Sequence, residues 1–213
     1  MEMKDIIPQV LIFSTQRSGT HLLASIFEQH PQIHVRGEAF LRYERTGTIT
    51  ENIPGKLNMG ILMYNQVLTM ESLGGTLLQQ KIIHLLRDPK AVAQSRLQVQ
   101  ADKKVLRKQY RAHYYEGETL PQGGIPDLSG LEDLARSIEQ EQVKYKEVLK
   151  GVPHLELHYE DFVHPGRSIS ILDQDIQVRI LSFLGLPKSG IPLYTKYIKP
   201  DTILRKTTKE YGS

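Results

Sequence analysis

The sequence predicts a single-domain α/β protein built on a parallel β-sheet flanked by helices on both faces. Short apolar runs recur at 10–13, 33–35, 82–86 and 155–159, and helical patterns alternate with them. Each connection is longer than a hairpin needs, which points to parallel rather than antiparallel pairing. The 213 residues fit one domain with elaborations at roughly 150 residues per domain, and no internal repeat or low-complexity tract breaks the pattern.

Residues 10–13, VLIF, form the first buried strand. STQRSGT follows as a tight loop, and Leu22, Leu23, Ile26 and Phe27 then repeat at helical spacing. A second short strand at 33–35 ends in RGEAF. Leu57, Ile61, Tyr64 and Leu68 stand at helical spacing and predict a helix over 57–70. The run IIHLL at 82–86 is too short for a comfortable helix and passes into Arg87, Asp88 and Pro89, where Asp caps and Pro opens a new helix. That helix carries Ala91, Val92, Ser95 and Leu97 and becomes basic from Lys103 to Arg111. Residues 112–130, with Gly, Pro and Tyr in no clear period, read as a long surface loop. A helix at 131–149, an alternating strand at 155–159 and a helix at 176–184 complete the order, the last stopped by Gly185, Leu186 and Pro187.

Composition narrows the function by exclusion. The chain has no Cys, which removes a disulfide scaffold, an iron–sulfur cluster, a Cys-rich zinc site and a thiol nucleophile, and fits a reducing compartment. The net charge of +3 is too small to argue for a nucleic-acid-binding face, although it favours an anionic ligand. No apolar run approaches the roughly 18 residues of a membrane span, and no signal-peptide pattern opens the chain, so the expected location is the cytoplasm.

In parallel sheets ligands bind beyond the C-terminal strand ends. The first such end offers Ser14 to His21, in which a Gly and two hydroxyl residues between strand and helix expose backbone N–H groups to an anion. Arg17 adds a forked cation suited to phosphate or sulfate oxygens. An ATP-type loop, G-x-x-x-x-G-K-[ST], requires Gly at 14 and Lys at 20, where this chain has Ser14 and Thr20. The third strand end sets Arg87 before a helix bearing Ser95 about two turns on, a plausible clamp for a phosphate monoester. The bland alternatives are a capped helix start with a surface arginine, and an Arg87 paired with a surface carboxylate.

Together the segments resemble sulfotransferases that use 3′-phosphoadenosine 5′-phosphosulfate (PAPS). FSTQRSGTHLL resembles their 5′-phosphosulfate loop (13–21), and IIHLLRDPKAVAQS their 3′-phosphate motif (82–95). HPQIHVRGEAF resembles a segment of the bacterial carbohydrate and nodulation-factor members, LHYEDF a recurrent strand end, and ILSFLGLP the helix after it, so the likeness runs in order over 9–187 of one sulfotransferase domain, 1–213. Gln16 and Arg17 stand where many members have Pro and Lys, the Arg form being common among carbohydrate-type members. The resemblance implies a P-loop-like fold in which Arg17, Ser18, Gly19, Thr20 and His21 hold the 5′-phosphosulfate and Arg87 and Ser95 the 3′-phosphate. Arg205 and Lys206 faintly echo a late Arg-Lys-Gly loop that touches the same phosphate.

The implied reaction is in-line transfer of a sulfuryl group to a hydroxyl of a carbohydrate, lipid or small metabolite. Arg17, with loop N–H groups and Thr20, is the candidate stabiliser of the leaving oxygen; Glu38, just beyond the second strand, is the candidate general base, with His21 as its competitor. No metal is expected, because a sulfuryl group carries less negative charge than a phosphoryl group. His30 and His34 flank Pro31 and read as structural, and His154 and His158 as solvated or satisfied histidines. Lys103, Lys104, Arg107, Lys108 and Arg111, with His113, Tyr114 and Tyr115, read either as a solvated helix face or as part of a lid. The acceptor is expected to meet loops at 39–56 and 98–130. A small-molecule kinase and a non-catalytic nucleotide-binding module are the other readings.

Overall fold

A computed structural model describes residues 6–110, 121–163 and 172–187. Five parallel strands, β1 (Val10–Ser14), β2 (Ile33–Val35), β3 (Leu57–Met63), β4 (Lys81–Leu86) and β5 (His154–His158), lie in the order β2-β3-β1-β4-β5. β1 is central, and its Ile12 lies level with Ile61 of β3 and Ile83 of β4.

Strand side chains alternate between two cores, as the pleat requires. Val10, Ile12, Ile61, Ile83 and Leu157 pack under α1 (Thr20–Phe27) and α6 (Gln174–Leu184). Leu11, Phe13, Leu62 and Ile82 face the other way, toward Phe40 of α2 (Ala39–Thr46), Met70 of α3 (Val67–Ser72) and the C-terminal end of α5 (Leu131–Val148). α4 (Pro89–Leu106) joins that layer by packing Val92 and Ala93 against Leu131, Ala135 and Ile138 of α5. The sheet therefore has helices on both faces, as the sequence predicts.

The helix starts and stops follow local chemistry. Asp88 accepts a hydrogen bond from the Ala91 N–H at 2.7 Å with Pro89 opening α4, and Gly185 closes α6 in the left-handed region while the Leu186 N–H reaches Leu181 O.

The expected helix over 57–70 is wrong in its first half. Residues Leu57–Met63 form β3, Tyr64–Gln66 a single 3-10 turn, and only Val67–Ser72 a short α-helix. β3 lies between β1 and β2 and is buried on both faces, so its apolar residues show no alternation, and their spacing mimics a helix. Gly60 is required there because a Cβ would stand 2.7 Å from the Pro8 ring. Leu68, assigned by spacing to a buried face, is 77% exposed. The start of 39–56, expected as a loop, is occupied by α2, whereas the helix expected through Lys103 is α4, which ends at Leu106. Among the described residues no helix is long and apolar enough to cross a membrane.

An aromatic layer sits beneath the C-terminal edge of the sheet. Tyr64 and Tyr145 stack with centroids 4.3 Å apart, and Phe13 meets both edge-on. The Tyr64 hydroxyl bonds Nε2 of fully buried His84, whose Nδ1 has no hydrogen-bond partner. Burial lowers the His84 pKa to about 4, whereas an unfolded histidine titrates near 6.5. The unfolded chain therefore takes up a proton that the folded chain refuses. His84 should contribute about 3 kcal/mol of stability above pH 6.5, lost progressively as pH falls to about 4. Unfolding midpoints across that window should show this slope in the native chain, and His84→Gln, which keeps an acceptor for Tyr64, should flatten it.

Candidate functional site

The loop between β1 and α1 is shaped by two left-handed residues. Gly19, at φ 92, caps α1 and accepts from the Leu23 N–H, while Arg17 holds φ 73 without being glycine. Such a conformation costs an ordinary residue ~1–2 kcal/mol and persists only where its surroundings impose it. Here the constraint comes from β4. Arg87, leaving that strand, is 6% exposed and donates from Nη1 to Arg17 O at 3.0 Å. Ser14 Oγ adds a second tie from the loop to β4 by donating to Leu85 O.

The Arg17 side chain turns toward α4, where its Nε donates to Ser95 Oγ at 3.2 Å. Thus Arg17, Arg87 and Ser95, drawn from three segments, form one cluster, in which Ser95 bonds Arg17. Burial is the main influence that lowers the Arg17 pKa; Arg87 adds to it, and Tyr110, Tyr159 and Asp102 oppose it. Among the described residues neither arginine forms an ion pair, and the buried Ser18 Oγ and Arg87 Nε have no hydrogen-bond partner. Two guanidinium groups held close without carboxylates, beside unsatisfied donors and a helix N-terminus, fit a multiply charged anion. Thr20, the first residue of α1, is buried next to them.

Tyr159, just past β5, belongs to this cluster although the motif reading gave it no role. The Arg87 guanidinium lies over its ring at 4.2 Å from the centroid, and the same ring covers Gly19 so closely that a Cβ there would stand 2.4 Å from it. The signal was its place at the end of a strand in a parallel sheet. Tyr110, which influences Arg17, lies beneath Lys103 at 5.4 Å from ammonium to ring centroid. Lys103, Lys104, Arg107 and Lys108 are exposed around the end of α4. Arg111, His113, Tyr114, Tyr115, Arg205 and Lys206 lie outside the described residues.

A second cluster forms on the β2 side. Arg36 fixes the end of β2 by donating to Ile6 O and Asn52 Oδ1, both at 2.7 Å, and burial lowers its pKa to about 10. Gly37, at φ 58, then turns the chain so that Glu38 stands at the N-terminus of α2. There its Oε1 meets His21 Nε2 at 3.1 Å, with the side chains 28% and 31% exposed. The two candidate bases are therefore one pair, open enough to meet a hydroxyl. His30 is buried and accepts from the Gln32 N–H, and His154 and His158 bond Val152 O and Glu156.

Gly19→Ala combines a left-handed backbone with the clash against Tyr159 and should cost ~2–4 kcal/mol. In a Tyr159→Ser background the added cost should shrink to the backbone part, ~1–2 kcal/mol. Urea unfolding of the four chains checks both.

The comparisons with known proteins bear on the fold and the family. The solved sulfotransferase of Alicyclobacillus acidocaldarius aligns over 96% of this chain and 92% of its own, with 14% identity and a TM-score of 0.51, a likeness of fold. Mouse sulfotransferase SULT7A1, solved in complex with PAP, aligns over 95% of this chain and 63% of its own, with 16% identity and a TM-score of 0.48. No curated protein sequence matches. A sulfotransferase-domain profile matches residues 7–149, two thirds of the chain and the segment that supplies both arginines, Ser95 and Glu38, and the chain belongs to the sulfotransferase family.

Proposed function

We propose that the chain transfers the sulfuryl group of PAPS to a hydroxyl acceptor, with Glu38 as general base. The observation that carries this reading is the pair Arg17 and Arg87, held together at adjacent strand ends with no ion-paired carboxylate among the described residues. PAPS has two anionic ends, a 5′-phosphosulfate and a 3′-phosphate, and the cluster offers a site for each. Ser18, Gly19 and Thr20 with Arg17 would hold the first, and Arg87 with Ser95 the second. The unpaired Ser18 Oγ and Arg87 Nε are donors of the kind such anions satisfy.

In the transfer the acceptor oxygen bonds to sulfur as the bond from sulfur to the bridging phosphate oxygen breaks. The electron pair leaves on the 5′-phosphate, where Arg17 and the loop N–H groups offset the developing charge. The acceptor proton passes to Glu38. His21, 3.1 Å away, orients that carboxylate and offers the proton an onward route. The kinase reading is weaker, since Ser14 and Thr20 replace the Gly and Lys of an ATP-type loop.

Two measurements test the assignment. Glu38→Gln should lower transfer by about 10²–10⁴-fold while PAP affinity stays within about twofold; unchanged turnover removes Glu38 from the mechanism. Arg87→Lys should weaken PAP about tenfold or more and adenosine 5′-phosphate, which lacks the 3′ group, by a clearly smaller factor, the smaller loss reflecting the tie from Arg87 to the Arg17 carbonyl. Equal losses for both nucleotides would contradict the 3′-phosphate role.

A further inference from the structure

An opening lies beside the loop that follows β1. Thr15, Gln16, Tyr64, Asn65, Arg96 and Glu141 line a cleft of about 190 Å³ that is open to solvent, below the roughly 300–1,000 Å³ of whole small-molecule pockets and so of the size of a subsite. Its position follows from register. Ser14 pairs with Met63, so Thr15 and Gln16 leave β1 beside Tyr64 and Asn65 as they leave β3, and Arg17 comes next in the loop. The cleft thus borders the loop that would present the transferable group.

Its lining is polar and already ordered. Thr15 Oγ1 donates to Glu141 Oε2 at 2.8 Å and accepts from Arg96 Nη2, which itself stands 4.0 Å from Glu141, and Arg96 Nε reaches Gln16 O at 3.5 Å. Arg96 and Glu141 remain partly exposed, and Asn65 is exposed at the rim. A guanidinium, a carboxylate and an amide converge here with no aliphatic side chain among them. An alkyl chain in this cleft would strip water from these groups and return nothing. An anionic acceptor would meet Glu141, and a cationic one Arg96. A neutral polyol uses both, because each of its hydroxyls donates and accepts.

Resting on the proposed sulfuryl transfer, we infer that the cleft between β1, β3, α4 and α5 is the acceptor subsite and that the acceptor is a neutral carbohydrate, recognised by Asn65, Arg96 and Glu141. These residues select the acceptor and take no proton from it.

The test uses the intact chain, a panel of methyl glycosides and a panel of fatty alcohols and phenols. Binding is read by saturation-transfer NMR and transfer with labelled donor. The native chain should bind and sulfate glycosides in preference to the apolar alcohols. Asn65→Leu, at the exposed rim, and Glu141→Gln, which can still accept from Thr15, should each weaken glycoside binding about tenfold with PAP affinity within about twofold. Absence of glycoside binding by the native chain, or equal binding by the variants, overturns the inference. So does a parallel loss of PAP affinity, which would make these residues props of the loop. Glycoside binding that the variants lose, in a chain without affinity for PAP, would uphold the subsite and sink the sulfotransferase reading. Transfer to the apolar alcohols alone would do the reverse.

Discussion

The hydrogen bond from Arg87 to the carbonyl of Arg17 is the constraint on which the rest of the site depends. Through it β4 fixes the conformation of a loop that belongs to β1. Arg87 is also the meeting point of two other elements: its guanidinium lies on Tyr159 after β5, and its own carbonyl accepts from Gln142 of α5. Three strand ends and one helix thus converge on one residue, and parallel order brings the strand ends to the same edge. A buried arginine in this position costs desolvation that one hydrogen bond to a carbonyl and one aromatic contact offset only in part. The unsatisfied Nε is the visible remainder of that cost.

The order of strands also separates the two halves of the chemistry. Arg87 and Tyr159 stand on the β4–β5 side, Glu38 and His21 near β2, and the loop that bears Arg17 between them. In the proposed reaction the nucleotide's 3′ end lies toward one side and the acceptor hydroxyl toward the other, with the sulfuryl group over β1. The pairing of His21 with Glu38 changes the question of which is the base. In the proposed reaction a proton taken by Glu38 would lie 3.1 Å from His21 Nε2, so the two candidates need not compete.

Much of this was legible in the sequence because the informative residues stand where local signals are strong. The loop from Ser14 to Thr20 sits between a buried strand and a helix, and Asp88 with Pro89 marks the start of α4 without ambiguity. Arg17, Arg87 and Ser95 were named from motifs and do meet. What escaped was set by tertiary context. β3 is buried on both faces and so has no period of its own. Tyr159 acts through a partner 72 positions away, and Arg96 and Glu141 through a loop 80 or more positions away, by contacts that no spacing rule connects. α2 is amphipathic but short, and its only buried side chains are Ala39 and Phe40.

On the proposed function, Arg17 sets stability against activity at a single position. At φ 73 the backbone there would be more relaxed as glycine, yet glycine would remove the guanidinium. Selection for fold stability alone would therefore drive this residue out, and only selection for the charge retains it. Stabilised descendants of this chain, gathered without regard to turnover, would accumulate inactive members through position 17 before any residue of the core had changed.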